Sequence, residues 1–178
     1  MKCNIYLIGY RGVGKSTIAP LLAAALGWQA VELDQLIVQQ EGHTIAELFA
    51  EYGEPYFRRC EGDVLHQVAL REQQVVSTGG GIVLAASHRE MMRSTGVVIW
   101  LQAPVDVLVS RLQYDDGTRP TLTGRKLDEE VALLVKQREP LYAAAAHFTV
   151  DTGERNPQDS VTAILDSLRQ EAWTGIVR

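Results

Sequence analysis

Five short runs rich in apolar and β-branched residues recur along the chain, and a longer stretch with helical periodicity follows each of them. The runs extend from Cys3 to Ile8, from Gln29 to Leu33, from Gln74 to Thr78, from Val97 to Leu101 and from His147 to Val150. Near-continuous apolar sequence is typical of strands that are buried on both faces of a parallel sheet. The alternation therefore predicts an α/β fold of three α/β/α layers with a five-stranded parallel sheet.

Three helix boundaries can be predicted from local sequence. Thr44 and Glu47 have the spacing of a capping box, in which each side chain satisfies a backbone N–H of the other residue. Pro157 suits the first turn of a helix, where its missing N–H is not needed. A further helix is predicted from Leu127 to Ala146.

The first predicted strand leads directly into residues 9–16, GYRGVGKS, which fit the pattern G-x-x-x-x-G-K-[ST]. A strand before this pattern and a helix after it form the context in which such a loop binds phosphate. The glycines let backbone N–H groups converge on phosphate oxygens, and the helix adds the positive end of its dipole. Lys15 would then reach the β and γ phosphates, and the Ser16 hydroxyl would ligate Mg²⁺. The alternative is a glycine-rich turn with an incidental lysine.

Two carboxylates, Glu32 and Asp34, lie at the end of the second predicted strand. If the strand continued, residues two apart would face the same side, which would place both carboxylates beside the phosphate loop. One would help to hold Mg²⁺, and the other would orient an acceptor hydroxyl and accept its proton. The alternative is a solvated pair, or a pair in which Asp34 caps the next helix.

Three further features indicate an acidic acceptor. Residues 57–61, FRRCE, lie on the helix before the third strand, three glycines at 79–81 follow that strand, and Arg138 lies in the helix after residue 127. Consecutive glycines mark a close backbone approach or an unusual turn, and arginine grips a carboxylate or phosphate through two parallel hydrogen bonds. Taken singly, each arginine is more often a surface charge, so the argument depends on their joint occurrence.

The stretch from Tyr114 to Lys126, YDDGTRPTLTGRK, is polar and contains two glycines and a proline. It interrupts two helical patterns, which predicts a mobile loop. An ordinary surface connection is the alternative, and the two arginines of the stretch leave a functional role open.

Charge and length restrict the class of protein. The chain has 178 residues, with 17 Lys+Arg against 22 Asp+Glu and a net charge of -5, so we expect no binding to nucleic acid or to a membrane surface. Cys3 and Cys60 are too far apart in sequence for a ligand motif, and we expect both to be reduced thiols of a cytoplasmic protein. The length predicts a single domain over residues 1–178.

Taken together, the motifs resemble those of the shikimate kinase family over nearly the whole chain. They are the phosphate loop, the acidic pair ending in Asp34, the FRRCE stretch, the sequence STGGG at 77–81, RPTLTG at 119–124 and REPLY at 138–142. The resemblance implies transfer of the ATP γ-phosphate to the 3-hydroxyl of shikimate, on the route to chorismate and the aromatic amino acids. It also implies a P-loop fold of the nucleoside-monophosphate-kinase type, with strand order 2-3-1-4-5.

The resemblance also implies a role for individual residues. Catalysis would involve Asp34 as the base, with Lys15 and Arg119. The nucleotide would be bound by Gly12, Val13, Gly14, Lys15, Ser16, Thr17, Arg111, Arg119, Arg155 and Pro157. Shikimate would be bound by Asp34, Arg58, Glu61, Gly79, Gly80, Gly81 and Arg138, and the metal by Ser16 and Glu32. Residues from about 114 to 126 would form a lid. The implied partners are ATP and shikimate, the implied cofactor is Mg²⁺, and we expect a monomer.

The chain departs from the family pattern at one position. The family has Asp-x-Asp after the second strand, whereas this chain has Glu32-Leu33-Asp34. The longer side chain of Glu32 keeps the charge but changes its reach, so the metal would be held through water or would rely on Ser16. Two rival functions stay open, a kinase for another small acid such as gluconate and a catalytically weak nucleotide-binding module.

Overall fold

Strands and helices alternate along the chain, and a computed structural model describes them for residues 3–113 and 126–170. The strands are β1 (Asn4–Ile8), β2 (Gln29–Glu32), β3 (Gln74–Ser77), β4 (Gly96–Gln102) and β5 (Phe148–Asp151). The helices are α1 (Lys15–Leu26), α2 (Leu33–Glu41), α3 (Ile45–Ala69), α4 (Ala86–Thr95), α5 (Val105–Gln113), α6 (Leu127–Ala145) and α7 (Pro157–Gln170). A short 3₁₀ turn spans Ile82–Leu84.

The five strands form one parallel sheet in the order β2-β3-β1-β4-β5. The predicted sheet and its strand order are therefore confirmed. All five residues of the central strand β1 are buried, which agrees with its apolar sequence. The second strand ends one residue before its predicted end, because Leu33 begins α2 and buries its side chain there instead.

Helices cover both faces of the sheet and give two apolar clusters. Ile5 and Leu7 point into one cluster, which contains side chains of α1, α5 and α7 and the N-terminal half of α6. Tyr6 and Ile8 point into the other, with side chains of α2, α3, α4 and the C-terminal half of α6. The alternation follows from the two-residue period of a strand. Helix α6 is thus shared between the two layers.

The predicted helix starts are confirmed. The side chain of Thr44 accepts a hydrogen bond from the backbone N–H of Glu47, and the Glu47 carboxylate accepts one from the backbone N–H of Thr44. Helix α7 begins at Pro157. Helix α3 contains a break that the sequence prediction did not include, at Gly53 with φ 80° and two residues before Pro55.

Neighbouring parallel strands place their carboxyl ends at one edge of the sheet, and that edge carries the loops after β1, β2, β3 and β5. No helix within residues 3–113 and 126–170 is long and apolar enough to cross a membrane.

Candidate active site

The loop between β1 and α1 depends on glycine at two positions. Gly9 has φ 141°, and a side chain there would collide with the backbone carbonyl of Leu101. Gly14 precedes α1 in the left-handed conformation, with φ 100°. No side chain in the described part of the chain caps this helix start, so the first N–H groups of α1 face the loop and can meet an anion.

Lys15 is the first residue of α1 and is 93% buried, with 7% of its surface exposed. Its Nζ donates hydrogen bonds to the carbonyl oxygens of Gly9 and Tyr10, at 2.7 and 2.9 Å. The ammonium group therefore lies over the loop, on the side from which phosphates would be bound.

A cleft of about 790 Å³ opens at the carboxyl edge of the sheet and contains most of the predicted site residues. Its walls include Gly12, Val13, Gly14, Lys15, Ser16, Thr17, Glu32, Asp34, Gly79, Gly80, Arg111, Arg155 and Pro157. The structure brings together in one space residues that are more than 140 positions apart in sequence. Arg119 and most of the predicted lid fall within residues 114–125, which lie outside the described residues.

One end of the cleft is formed by α5 and the segment after β5. Arg111 donates a hydrogen bond to the carbonyl oxygen of Thr152 at 2.7 Å, and Arg155 donates one to that of Asp151 at 2.7 Å. The hydroxyl of Thr152 donates to the carbonyl oxygen of Val13 at 2.9 Å, which ties this end to the phosphate loop. Two arginine side chains and the ring of Pro157 line this end of the cleft, and such groups suit the base of a nucleotide.

Ser16 and Glu32 lie at the centre of the cleft and are connected through Ser77. The two serine hydroxyl oxygens are 3.4 Å apart, and Ser77 donates a hydrogen bond to Glu32 Oε1 at 2.8 Å. Burial raises the pKa of Glu32, although the hydroxyls of Ser77 and Ser16 oppose this effect. A hydroxyl and a carboxylate beside a phosphate loop are the oxygen donors that Mg²⁺ takes in such sites, so these residues fit the ion.

The predicted placement of Asp34 is correct, but its predicted geometry is wrong. The strand does not continue beyond Glu32. The chain turns into α2, and Asp34 lies in the first turn of that helix. The alternative of a helix cap is also wrong, because Glu32 occupies the capping position and its side chain makes no capping hydrogen bond. Both carboxylates nevertheless line the cleft, since the strand end and the first helical turn face the same space.

The residues predicted to bind the acceptor surround the glycines after β3. A side chain at Gly79 would lie 3.1 Å from both Asp34 Oδ1 and Glu61 Oε1. A side chain at Gly81 would collide with the guanidinium of Arg58. Arg138 donates a hydrogen bond to the carbonyl oxygen of Gly80 at 3.2 Å. A side chain at Gly79 or Gly81 would therefore press on the carboxylates of Asp34 and Glu61 or on the guanidinium of Arg58.

Arg58 is held by acidic neighbours on its own helix. Its Nη1 donates to Glu61 Oε2 at 2.8 Å, and its Nη2 donates to Glu54 Oε1 at 3.0 Å. Glu61 is fully buried, and burial raises its pKa to about 7, although the Arg58 charge opposes the shift. The structure thus places a buried carboxylate, with its pKa held above the ordinary value, in direct contact with Arg58.

Several residues at the site were missed by the sequence prediction. Ser77 connects Ser16 to Glu32, Thr152 supports the far end of the cleft, and the hydroxyl of Tyr142 donates to Gly80 O at 2.5 Å. Ser77 and Thr152 stand at or directly after strand ends, which is the signal that would have found them. His88 had no such signal. It lies 3.7 Å from Glu61 only because α4 packs on α3.

The loop, its lysine and the sheet order together define the class of the protein: it is a P-loop nucleotide-binding protein with a nucleoside-monophosphate-kinase-like fold. The model of one family within this class, shikimate kinase, matches residues 11–169. The chain belongs to the shikimate kinase family.

Relatives and solved structures agree with this assignment. The chain is 45% identical over 150 residues to a shikimate kinase of Nitratidesulfovibrio vulgaris, with 83% of this chain and 86% of the relative covered. It is 42% identical over 165 residues to a shikimate kinase of Rhodopirellula baltica, with 91% and 88% covered. It superimposes with a TM-score of 0.90, at 35% identity, on the shikimate kinase from Acinetobacter baumannii in complex with shikimate, over 96% of this chain and 94% of that one. The predicted family and fold are confirmed.

Proposed function

We propose that the chain transfers the γ-phosphate of ATP to the 3-hydroxyl of shikimate, giving ADP and shikimate 3-phosphate for chorismate and aromatic amino acid biosynthesis. The observation that carries this proposal is the position of Asp34 in the cleft, between the phosphate loop and the glycines that Arg58 and Arg138 approach. The Acinetobacter baumannii neighbour, whose structure contains shikimate, supports the choice of acceptor.

For the nucleotide, the proposed contacts follow the length of the cleft. Backbone N–H groups of residues 12–17 and the Lys15 ammonium would bind the phosphates, and Arg111, Arg155 and Pro157 would contact the base. Arg119 is proposed to close on the phosphates from the segment at about 114–126.

For the metal, Ser16 and Glu32 are the proposed ligands, either directly or through water. When bound with ATP, Mg²⁺ would be held by Ser16 and Glu32 and would supply positive charge that offsets the negative charge of the phosphates. Within the described residues no three His, Cys, Asp or Glu side chains are grouped so that they could hold a metal ion.

For the acceptor, Arg58 and Arg138 would bind the carboxylate of shikimate, with Glu61 holding Arg58 in place. The backbone of Gly79, Gly80 and Gly81 would form the wall behind the ring. Asp34 would accept a hydrogen bond from the 3-hydroxyl and then take its proton as the new O–P bond forms. The O–P bond between the γ-phosphate and ADP breaks in the same step and leaves its electron pair on ADP, where Lys15 and Arg119 would offset the negative charge.

The remaining predictions complete the proposal. We propose a monomer with one domain over residues 1–178, a cytoplasmic location and no nucleic-acid or membrane partner. The net charge of -5 supports the last of these.

The identity of the product tests the proposal. The purified chain is incubated with ATP, Mg²⁺ and shikimate, and the product is examined by mass spectrometry and phosphorus NMR. We expect one phosphate on shikimate, coupled to the proton at C3. Phosphate at another hydroxyl would contradict the assigned position of the acceptor, and the absence of any phosphorylated shikimate would contradict the proposed function.

A further inference from the structure

The phosphate loop is joined to α6 by an ion pair between Arg11, which lines the cleft, and Glu130, which is not among the described residues that line it. Nη2 of Arg11 lies 2.7 Å from Oε1 of Glu130. The Glu130 side chain is fully buried, and the Arg11 side chain is 13% exposed. Position 11 is one of the unspecified positions of the loop pattern, so phosphate binding by the loop does not explain an arginine there.

Helix α6 carries Glu130, which contacts Arg11 of the phosphate loop, and Arg138, which contacts the glycines after β3. Glu130 lies in its first turn, and Arg138 lies about two turns later, roughly 12 Å along the axis. The N-terminal half of α6 packs in the same apolar cluster as α1, which follows the phosphate loop. The C-terminal half packs in the cluster that contains α3, which carries Arg58. A shift of α6 caused by one substrate would therefore also move side chains that lie near the other substrate.

Tyr10 connects the two arginines within the same space. The guanidinium carbons of Arg11 and Arg138 lie 5.9 and 6.0 Å from the centroid of its ring, and Tyr10 is 3% exposed. Both residues also lie close to Gly80, the middle one of the three glycines after β3. The Arg138 side chain donates a hydrogen bond to Gly80 O, and a side chain at Gly80 would lie 3.3 Å from the backbone N of Arg11. The phosphate loop, the glycines after β3 and α6 are thus packed as one unit.

We propose that the Arg11–Glu130 pair couples the binding of nucleotide to the binding of acceptor. The inference rests on the proposed function, because it takes the acceptor carboxylate to be bound at Arg138. An acceptor held by Arg138 fixes α6, Glu130 in the first turn of α6 then fixes Arg11, and the loop is ordered before the nucleotide arrives. Arg11 lines the cleft, whereas Glu130 acts only through Arg11 and is therefore a positioning residue.

The test measures the dissociation constant of ADP by calorimetry, without shikimate and with saturating shikimate. For the wild-type chain we expect shikimate to tighten ADP binding by about fivefold or more, the lower range of coupling between sites. Glu130→Gln and Arg11→Met should reduce this ratio to less than about twofold, while the affinity for shikimate alone changes by less than about twofold. Arg11→Lys keeps a cation opposite Glu130 and should retain most of the coupling.

Glu129→Gln is the matched control, because Glu129 lies in the same helical turn as Glu130 but is exposed. It should leave the ratio unchanged. A pair with a merely structural role would weaken ADP binding equally with and without shikimate, so an unchanged ratio in Glu130→Gln and Arg11→Met overturns the inference. If Glu130→Gln does not fold, the two Arg11 variants decide the matter.

Failure of this inference is distinguishable from failure of the proposed function. A wild-type chain that binds and phosphorylates shikimate but shows no tightening of ADP would overturn the coupling alone. A wild-type chain that does not bind shikimate would overturn the proposed function and the coupling with it.

Discussion

Asp34 is the residue on which the proposed chemistry depends most. It lies in the first turn of α2, and its side chain reaches the glycine after β3. Asp34→Asn removes the proton acceptor but keeps the size of the side chain. We expect a loss of at least about a hundredfold in kcat, the scale of general base catalysis, with ADP affinity changed by less than about twofold.

Steady-state kinetics and an ADP titration check this expectation. The matched control is Asp128→Asn, because Asp128 also lies in the first turn of its helix but is exposed. It should retain wild-type kcat. An Asp34→Asn variant with unchanged turnover would remove Asp34 from the mechanism.

Glu61 should make stability depend on pH. Burial raises its pKa from the ordinary value of 4.5 to about 7, so between these pH values the folded chain binds a proton that the unfolded chain has lost. The resulting stabilisation is complete below about pH 4.5 and is lost as the pH rises through about 7. Glu61→Gln does not titrate. The unfolding free energy of the wild type minus that of the variant should therefore fall by roughly 3 kcal/mol from pH 4.5 to pH 7.5.

Urea unfolding of both chains at the two pH values gives this difference directly. Glu90→Gln, at an exposed position on α4, is the control and should show the same offset from wild type at both. A Glu61→Gln offset that does not change with pH, or that grows as the pH rises, would contradict the assigned burial effect.

At the level of single residues, the sequence predicted positions better than contacts. The pattern from residue 9 to residue 16 requires glycine and lysine at fixed places, so it predicts the loop and its ligand class. Ser77 could not be predicted to connect Ser16 with Glu32, because that contact depends on the register of β2 and β3. The Arg11–Glu130 pair spans 119 positions of sequence, and no local pattern indicates it.

Among the elements, the start of α3 offers a test that is separate from activity. Thr44 and Glu47 form a complete capping box on the surface. Thr44→Ala removes the acceptor for the Glu47 N–H and should cost about 1 kcal/mol of stability, which lowers Tm by roughly 2 to 4 °C in a chain of this size. The KM values for ATP and shikimate should stay unchanged, because the cap does not line the cleft.

Thermal unfolding checks the effect of the cap. Thr162→Ala, an exposed threonine within α7, is the control and should change Tm by less than about 2 °C. A Thr44→Ala chain as stable as wild type would show that the capping box does not contribute to the stability of α3.

The turn after β3 gives a sharper test of the acceptor site. Gly81 has φ -101°, which any residue adopts, so alanine there causes no backbone strain. Its side chain would instead displace the guanidinium of Arg58. We expect Gly81→Ala to raise the KM for shikimate by at least about tenfold, while the KM for ATP changes by less than about twofold.

Gly42→Ala is the control for this variant. Gly42 has φ 70° and no other atom within 4 Å of an added side chain, so alanine there lowers stability through backbone strain alone. It should leave both KM values unchanged. Equal changes in the KM values for ATP and shikimate in Gly81→Ala would contradict a specific displacement of Arg58.

Elements were predicted well where local chemistry decides them and less well where packing does. The capping box and Pro157 fixed two helix starts, and apolar runs gave all five strands within about one residue. The end of β2 was wrong because Leu33 is equally suited to a buried strand and a buried helical turn. The break at Gly53 was missed, although the glycine with Pro55 two residues later was a visible signal.

For the whole molecule, the alternation of strands and helices was enough to predict the layers. The strand order could not be obtained from that alternation alone, because several orders satisfy it, and it came from resemblance to a family. The structure also shows that α2, α3, the turn after β3 and α6 bring the predicted acceptor residues to the edge of the nucleotide fold. The proposed acceptor site is therefore built from helices that pack on the same sheet as the phosphate loop.

The most direct test of shikimate phosphorylation is the rate of ADP release by the purified chain. The rate is measured with ATP and Mg²⁺ in the presence of shikimate, in the presence of gluconate and without an acceptor. We predict release with shikimate at least about a hundredfold faster than without an acceptor, and release with gluconate no faster than without one. Equal rates under all three conditions, or faster release with gluconate than with shikimate, would contradict the account.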